Sequence, residues 1–146
     1  MTDAQYDALL LSVRQSPLWV QIALTLYGEA RGEPYRGKVA VAEVMKRRNS
    51  DGQLWNDILA PYQFSCWNRN DPNLPLIQKA DIKDKTFQTC VEVAHAVIAG
   101  TVQDSSNGAT HYYAFNSMSK PPYWAADMDV VAQIENHRFL KERVHA

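Results

Sequence analysis

The sequence predicts an α+β fold, helical over its first two-thirds with a small β region behind. Two observations carry this. Apolar residues recur at helical spacing in several segments up to Ala99. Beyond Gly100 the pattern changes to aromatic and β-branched runs. The chain has 146 residues, about one domain, with no repeat and no low-complexity tract. A chain of that length buries roughly 70% of its unfolded surface, enough for a real core. Hydrophobic content of 46% with 21% charged residues excludes global disorder.

The elements follow in order. Tyr6, Leu9, Leu10 and Val13 form a stripe that predicts a helix over Asp3 to Arg14. Thr2 and Gln5 stand three apart, as a capping box requires. A second helix is expected to start at Ser16-Pro17, with Ser16 as cap and Pro17 at the first helical position. Its apolar side is Trp19, Ile22, Ala23, Leu26 and Tyr27, and Gly28, Gly32 and Pro34 weaken and close it. A third helix is predicted from about Tyr35 to Arg48, ending in Lys46, Arg47 and Arg48, charges that suit a helix C-terminus. Asn49 to Gly52 reads as a turn.

The stretch from Gln53 to Asp84 reads as one short helix around Trp55 to Leu59 and then loop, its Trp and Phe content arguing against disorder. A helix over Lys85 to Ala99 is marked by Phe87, Cys90, Val91, Ala94, Val97 and Ile98, with Gly100 placed to end it. His111 to Phe115 reads as a strand with His111, Tyr113 and Phe115 on one face and Tyr112 and Ala114 on the other. Val130 to Ile134 and His137 to Leu140 read as a hairpin across Glu135-Asn136.

Fifteen Lys and Arg against sixteen Asp and Glu leave a net charge of −1, which argues against a nucleic-acid-binding domain. No apolar run approaches the roughly 18 residues of a membrane span. Met1 is followed by Thr2 and Asp3 without a basic n-region, so no secretory signal peptide is expected. Two cysteines, Cys66 and Cys90, are too few for a disulfide framework and lack CxxC spacing. They are expected to be free thiols, with a single bridge between them left open by the sequence.

Three clusters carry candidate chemistry. The first is Tyr27-Gly28-Glu29-Ala30-Arg31-Gly32-Glu33-Pro34. Glu29 stands at the end of an apolar helix, between glycines that permit close approach of a ligand. Lost hydration and the negative helix end both raise the pKa of such a carboxyl, as a general acid requires. Glu33 is a possible second acid, or a partner of Arg31 or Arg36. The second cluster is Tyr62 to Asn68, whose aromatics, amides and hydroxyl suit the faces and rims of sugars. The third runs from His111 to Asn116 and on to Tyr123-Trp124 and His137. Two rival chemistries use the same residues. Cys66 with His111 or His137 and an acid would make a thiol peptidase or amidase. His111, His137 and an Asp would bind zinc, though neither His has metallopeptidase spacing. His95 and His145 are assigned no role.

The block from Leu24 to Ala42, LTLYGEARGEPYRGKVAVA, resembles the signature of the SleB-type cell wall hydrolases. Later motifs follow that family's order: Gln63-Phe64-Ser65-Cys66-Trp67, Ala109-Thr110-His111-Tyr112-Tyr113, Pro122-Tyr123-Trp124-Ala125 and Ile134-Glu135-Asn136-His137-Arg138-Phe139. The similarity covers about residues 18 to 141. It implies a lysozyme-like, lytic-transglycosylase-like single catalytic domain over residues 1–146, with 1–16 an N-terminal helix and 17–146 the hydrolase core. It implies cleavage of the β-1,4 bond between N-acetylmuramic acid and N-acetylglucosamine in peptidoglycan, without cofactor or metal.

By that similarity Glu29 is the catalytic acid. It would protonate the leaving oxygen and then act as base on the muramic C6 hydroxyl to give a 1,6-anhydro product. A hydrolase would need a second carboxylate, for which Glu33, Asp71 and Asp127 are candidates. The alternative from another class is a catalytically silent glycan-binding module on the same scaffold. Gln63, Phe64, Ser65, Tyr113, Asn116, Trp124 and His137 would bind the glycan or hold the cleft in shape, His137 more as a structural residue. Relatives usually carry Gly where this chain has Asn136. The expected setting is a monomeric phage endolysin or virion-associated hydrolase. It would start in the cytoplasm of the infected cell or in the particle and reach the wall with help such as a holin. With balanced charge, affinity for an anionic wall is expected to come from the aromatic and amide lining of a cleft.

Overall fold

The computed structural model describes residues 1–51 and 54–144. Five α-helices precede a three-stranded sheet: α1 (Asp3–Arg14), α2 (Leu18–Ala30), α3 (Tyr35–Asn49), α4 (Leu74–Gln78) and α5 (Lys85–Ala99). A two-residue hairpin, β1 (Ser50–Asp51) with β2 (Leu54–Trp55), and a 3-10 turn at Ser65–Trp67 lie between α3 and α4. The larger sheet is antiparallel, in the order β3 (His111–Ala114), β5 (His137–Glu142), β4 (Met128–Ile134). The fold is therefore α+β, as the sequence predicts.

α2 is the central helix and packs against α3, α4, α5 and the 65–67 turn. Ile22, Ala23 and Leu26 on α2, Val41 and Val44 on α3, and Val93, Ala94 and Val97 on α5 are fully buried in one core. The sheet joins that core through one face only, which carries Tyr112, Ile134 and Phe139. The opposite face builds a separate small cluster of Tyr113, Met128 and Leu140, with Phe115 and Trp124 against it. That is the alternation expected for His111 to Phe115.

Local chemistry explains the ends. Thr2 Oγ1 accepts from the Gln5 backbone N–H at 3.1 Å and Gln5 Oε1 accepts from the Thr2 N–H at 2.7 Å, the capping box in full. Asp84 caps α5 through the Thr86 N–H at 2.9 Å, and Gly100 ends it at φ 70°. The cationic end of α3 works as a three-way clamp. Lys46 donates to the Val97 carbonyl at 3.1 Å, Arg47 pairs with Asp104 at 2.6 Å, and Arg48 donates to Gln63 Oε1 at 3.2 Å.

Three expectations need correction. Ser16 does not cap α2: its hydroxyl donates to the Ser12 carbonyl at the end of α1, and Pro17 is the N-cap residue. The short helix expected around Trp55 to Leu59 is replaced by β2 and a turn that buries Ile58 and Leu59. In the region expected to be loop, Leu74 and Ile77 bury one face of α4. Of the turn expected over Asn49 to Gly52, Asn49 ends α3, Ser50 and Asp51 form β1, and Gly52 lies outside the described residues, as does His145.

Candidate active site

Glu29 sits in the last turn of α2, half-buried, beside a cavity of about 270 Å³ lined by Gly28, Glu29, Arg31, Gly32 and Asn73. The hydroxyl of Tyr112, from β3, donates to Glu29 Oε1 at 2.6 Å. Burial pushes the Glu29 carboxyl above the ordinary carboxylate range, and the charge of Asp71 pushes the same way. The Tyr112 hydroxyl and the backbone N–H and thiol of Cys66 oppose this by stabilising the anion, without overturning it. Burial and the Glu29 charge raise the Tyr112 hydroxyl well above its ordinary value, so it remains a donor.

The two flanking glycines do different work. A Cβ at Gly28 would stand 2.5 Å from Ile77 Cδ1 and 2.7 Å from Cys66 Cβ, so Gly28 lets α2 approach α4 and the 65–67 turn. A Cβ at Gly32 would meet nothing within 4 Å, and only this glycine fits the expectation of open space for a ligand. The end of α2 is held from below by Lys38, only 4% exposed, whose ammonium donates to the carbonyls of Arg31, at 3.1 Å, and Glu33. Lys38→Met is expected to cost about 1.5–3 kcal/mol, the worth of hydrogen bonds from a charged donor. Urea unfolding at neutral pH measures it, and a change under about 0.5 kcal/mol, typical of a surface substitution, would show that the ammonium does not hold this turn.

Glu33 lies behind the site. It is 5% exposed and its carboxylate is occupied by His137 Nδ1 at 2.5 Å and by the backbone N–H and side-chain amide of Asn136, both at 3.2 Å. Asn136 also accepts from Asn116 Nδ2 at 2.7 Å. The turn between β4 and β5 takes its positive φ, 48°, at Glu135, which leaves Asn136 free to use its side chain this way. His137 meets the Tyr112 ring edge to face, centroids 5.3 Å apart.

The remaining predicted residues fall into two groups. Gln63, Phe64 and Ser65 lead into the turn that carries Cys66, with Phe64 buried, Ser65 exposed and the Arg48 guanidinium 5.2 Å over the Phe64 ring. Tyr113 and Trp124 lie on the outer face of the sheet, their rings 6.0 Å apart, away from Glu29. Tyr112, not Tyr113, reaches the acid. The signal for it was the alternation itself, once the face that meets the helices is known. Of the three candidate second acids, Asp71 is the one whose charge acts on Glu29. Asp127 is exposed at the end of the Tyr123–Asp127 turn.

The rival chemistries lose their geometry. Cys66 is fully buried, and burial with the Glu29 charge pushes its thiol far up, the opposite of a nucleophilic thiol. His111 and His137 project from opposite faces of the sheet, since His111 pairs with Leu140 and Ala114 with His137. Among the described residues no group of three His, Cys, Asp or Glu side chains converges to hold a metal ion. Cys66 and Cys90 are both buried and free.

The chain belongs to the cell wall hydrolase family, whose profile matches residues 32–140. The match takes in Glu33, the 63–67 segment, Tyr112 and His137, while Glu29 stands three residues before it. The chain is also similar to a spore cortex-lytic enzyme of Halalkalibacterium halodurans, 32% identical over 120 residues, 81% of this chain and 33% of that protein. It thus spans about a third of the length of that relative. No solved structure matches the chain.

Proposed function

We propose that this protein cleaves the β-1,4 bond between N-acetylmuramic acid and N-acetylglucosamine in peptidoglycan, with Glu29 as general acid. The observation that carries the reading is the Glu29 carboxyl, raised by burial, at an open cavity and held through one oxygen by Tyr112. With Oε1 accepting from Tyr112, the proton is carried on Oε2. That proton passes to the glycosidic oxygen as its bond to the muramic C1 breaks. The carboxylate then takes the proton of the muramic C6 hydroxyl, whose oxygen closes on C1. This route needs no second carboxylate and no water, which agrees with the engagement of Glu33 elsewhere. Family membership and the likeness to a cortex-lytic enzyme support the substrate class.

Purified peptidoglycan digested with the protein is expected to yield anhydro-muropeptides by mass spectrometry. Reducing ends instead would overturn the transglycosylase step and select a hydrolytic muramidase. Asp71, the candidate second acid whose charge reaches Glu29, is the residue that second reading would use.

Asp71 also supplies a pH test. Its negative charge raises the Glu29 pKa, so Asp71→Asn is expected to lower it. A general acid is lost as pH rises through its pKa. The alkaline limb of the pH–rate profile should therefore move to lower pH in the variant. Loss of activity at every pH, with no displacement of the limb, would instead make Asp71 a participant in the reaction.

A further inference from the structure

Glu33 is a buried acid that the reaction above does not use. Three donors converge on it: His137 Nδ1, the Asn136 N–H and Asn136 Nδ2. A carboxylate is the side chain of this size that accepts all three, because a glutamine would turn its own NH₂ toward one of them. The pair is 5% and 6% exposed, so its geometry is set by the protein rather than by solvent. Beyond it the contacts continue in one direction. The His137 ring stands at 83° to the Tyr112 ring, Phe139 packs against both at 5.9 and 6.1 Å, and the Tyr112 hydroxyl ends at Glu29.

We propose that Glu33 is a positioning residue: by anchoring His137 it fixes the Tyr112 ring, and through the Tyr112 hydroxyl it fixes the Glu29 carboxyl in the cavity. The inference rests on the reading of Glu29 as general acid. It gives the second glutamate of the Gly-Glu-Ala-Arg-Gly-Glu block a function without making it a second acid. It also gives Asn136 a part, as the residue that ties Glu33 to Asn116 and so to the loop after β3. The groups that face Glu29 are Tyr112 from β3, Cys66 from the 65–67 turn and Asp71 from the loop before α4, while Arg48 from α3 acts on Tyr112. Glu33 reaches Glu29 along this path only through Tyr112, and the test exploits that.

The Glu29 carboxyl is titrated by carbon-13 NMR in wild type, Tyr112→Phe, Glu33→Gln and the double variant, its signal assigned by its loss in Glu29→Gln. Tyr112→Phe removes a hydrogen bond that stabilises the anion, so the Glu29 titration should move up. Glu33→Gln should move it in the same direction and add nothing in the Tyr112→Phe background, since coupled residues are non-additive. On glycan, kcat should fall with KM unchanged. An unmoved Glu29 titration in Glu33→Gln, or an equal shift in both backgrounds, overturns the proposal and leaves Glu33 a stability residue. Should Glu33→Gln not fold, Asn136→Ala removes one of the three donors and keeps the His137 pair. It should give a smaller upward shift that vanishes with Tyr112→Phe, and no shift overturns the proposal equally. The titration needs no turnover, so a protein that fails to cleave peptidoglycan sinks the functional reading separately.

Discussion

Glu29→Gln is expected to lower glycan cleavage by about 10²–10⁴-fold, the usual worth of a positioned proton donor. The substitution keeps the shape of the side chain, and its amide oxygen still accepts from Tyr112. Glycan binding should therefore survive, and the variant is expected to co-sediment with peptidoglycan to the same extent as wild type. Retention of wild-type lysis by the variant would end the general-acid assignment. Loss of lysis in both proteins with binding kept would favour a glycan-binding module.

The same substitution carries a stability signature. The folded pKa of Glu29 lies above its unfolded value. Stability from such a group is fully present below the unfolded pKa, about 4.3 for a glutamate, and is lost as pH rises through the folded value. Above the folded pKa the half-buried anion is a cost, and glutamine removes it. Relative to wild type, Glu29→Gln should therefore gain melting temperature as pH rises through the folded pKa, and the gap should close towards pH 4. A gap that does not depend on pH would mean that burial does not act on this carboxyl.

Much of the fold was legible because its signals are local. Thr2 and Gln5 meet within one turn, Gly100 ends α5 with its own backbone, and the stripe of α5 needs no partner to be seen. Elements whose reason is tertiary were not legible. α4 has five residues with a proline in its first turn, and what holds it is burial of Leu74 and Ile77 against α2. The Ser16-Pro17 pair carried a cap signal, yet Ser16 is drawn back to the end of α1.

The site divides in the same way. Glu29 stood out because its helix, its glycines and its acid lie within a few residues. Tyr112 lies 83 residues away. Alternation separates it from Tyr113 but cannot say which face meets the helices; that is decided by Phe139 and Ile134 entering the core. Glu33 looked like a second acid for the same reason that Glu29 looked like the first. Its partners, His137 and Asn136, come from the far hairpin, and only the closed sheet brings them to it. The aromatics Tyr113 and Trp124 suited a sugar by type, but the register of β3 with β5 sends Tyr113 to the outer face, where Trp124 of the Tyr123–Asp127 turn packs against it.

Gly28→Ala should be the most damaging single-methyl change near the site. In a helix, alanine is preferred over glycine by about 1 kcal/mol, so propensity alone predicts stabilisation. Packing decides the other way. The added Cβ would lie 2.5 Å from Ile77 Cδ1, 2.7 Å from Cys66 Cβ and 2.9 Å from Cys66 Sγ. The Ile77 methyl can rotate, but Cys66 is fully buried in the 65–67 turn and has nowhere to go. Overpacking of this kind costs about 1–3 kcal/mol, or roughly 2–4 °C of melting temperature per kcal/mol in a domain of this size. The strain falls on the contact that places Cys66 against the Glu29 carboxyl, one residue along the helix. A displacement of about 1 Å there is worth on the order of 100-fold in rate. Gly28→Ala should thus lose both stability and kcat, whereas Gly32→Ala, whose Cβ meets nothing within 4 Å, should keep its melting temperature. Equal melting temperatures for the two variants would show that α2 does not need the close approach at Gly28 to set Glu29 at the cavity.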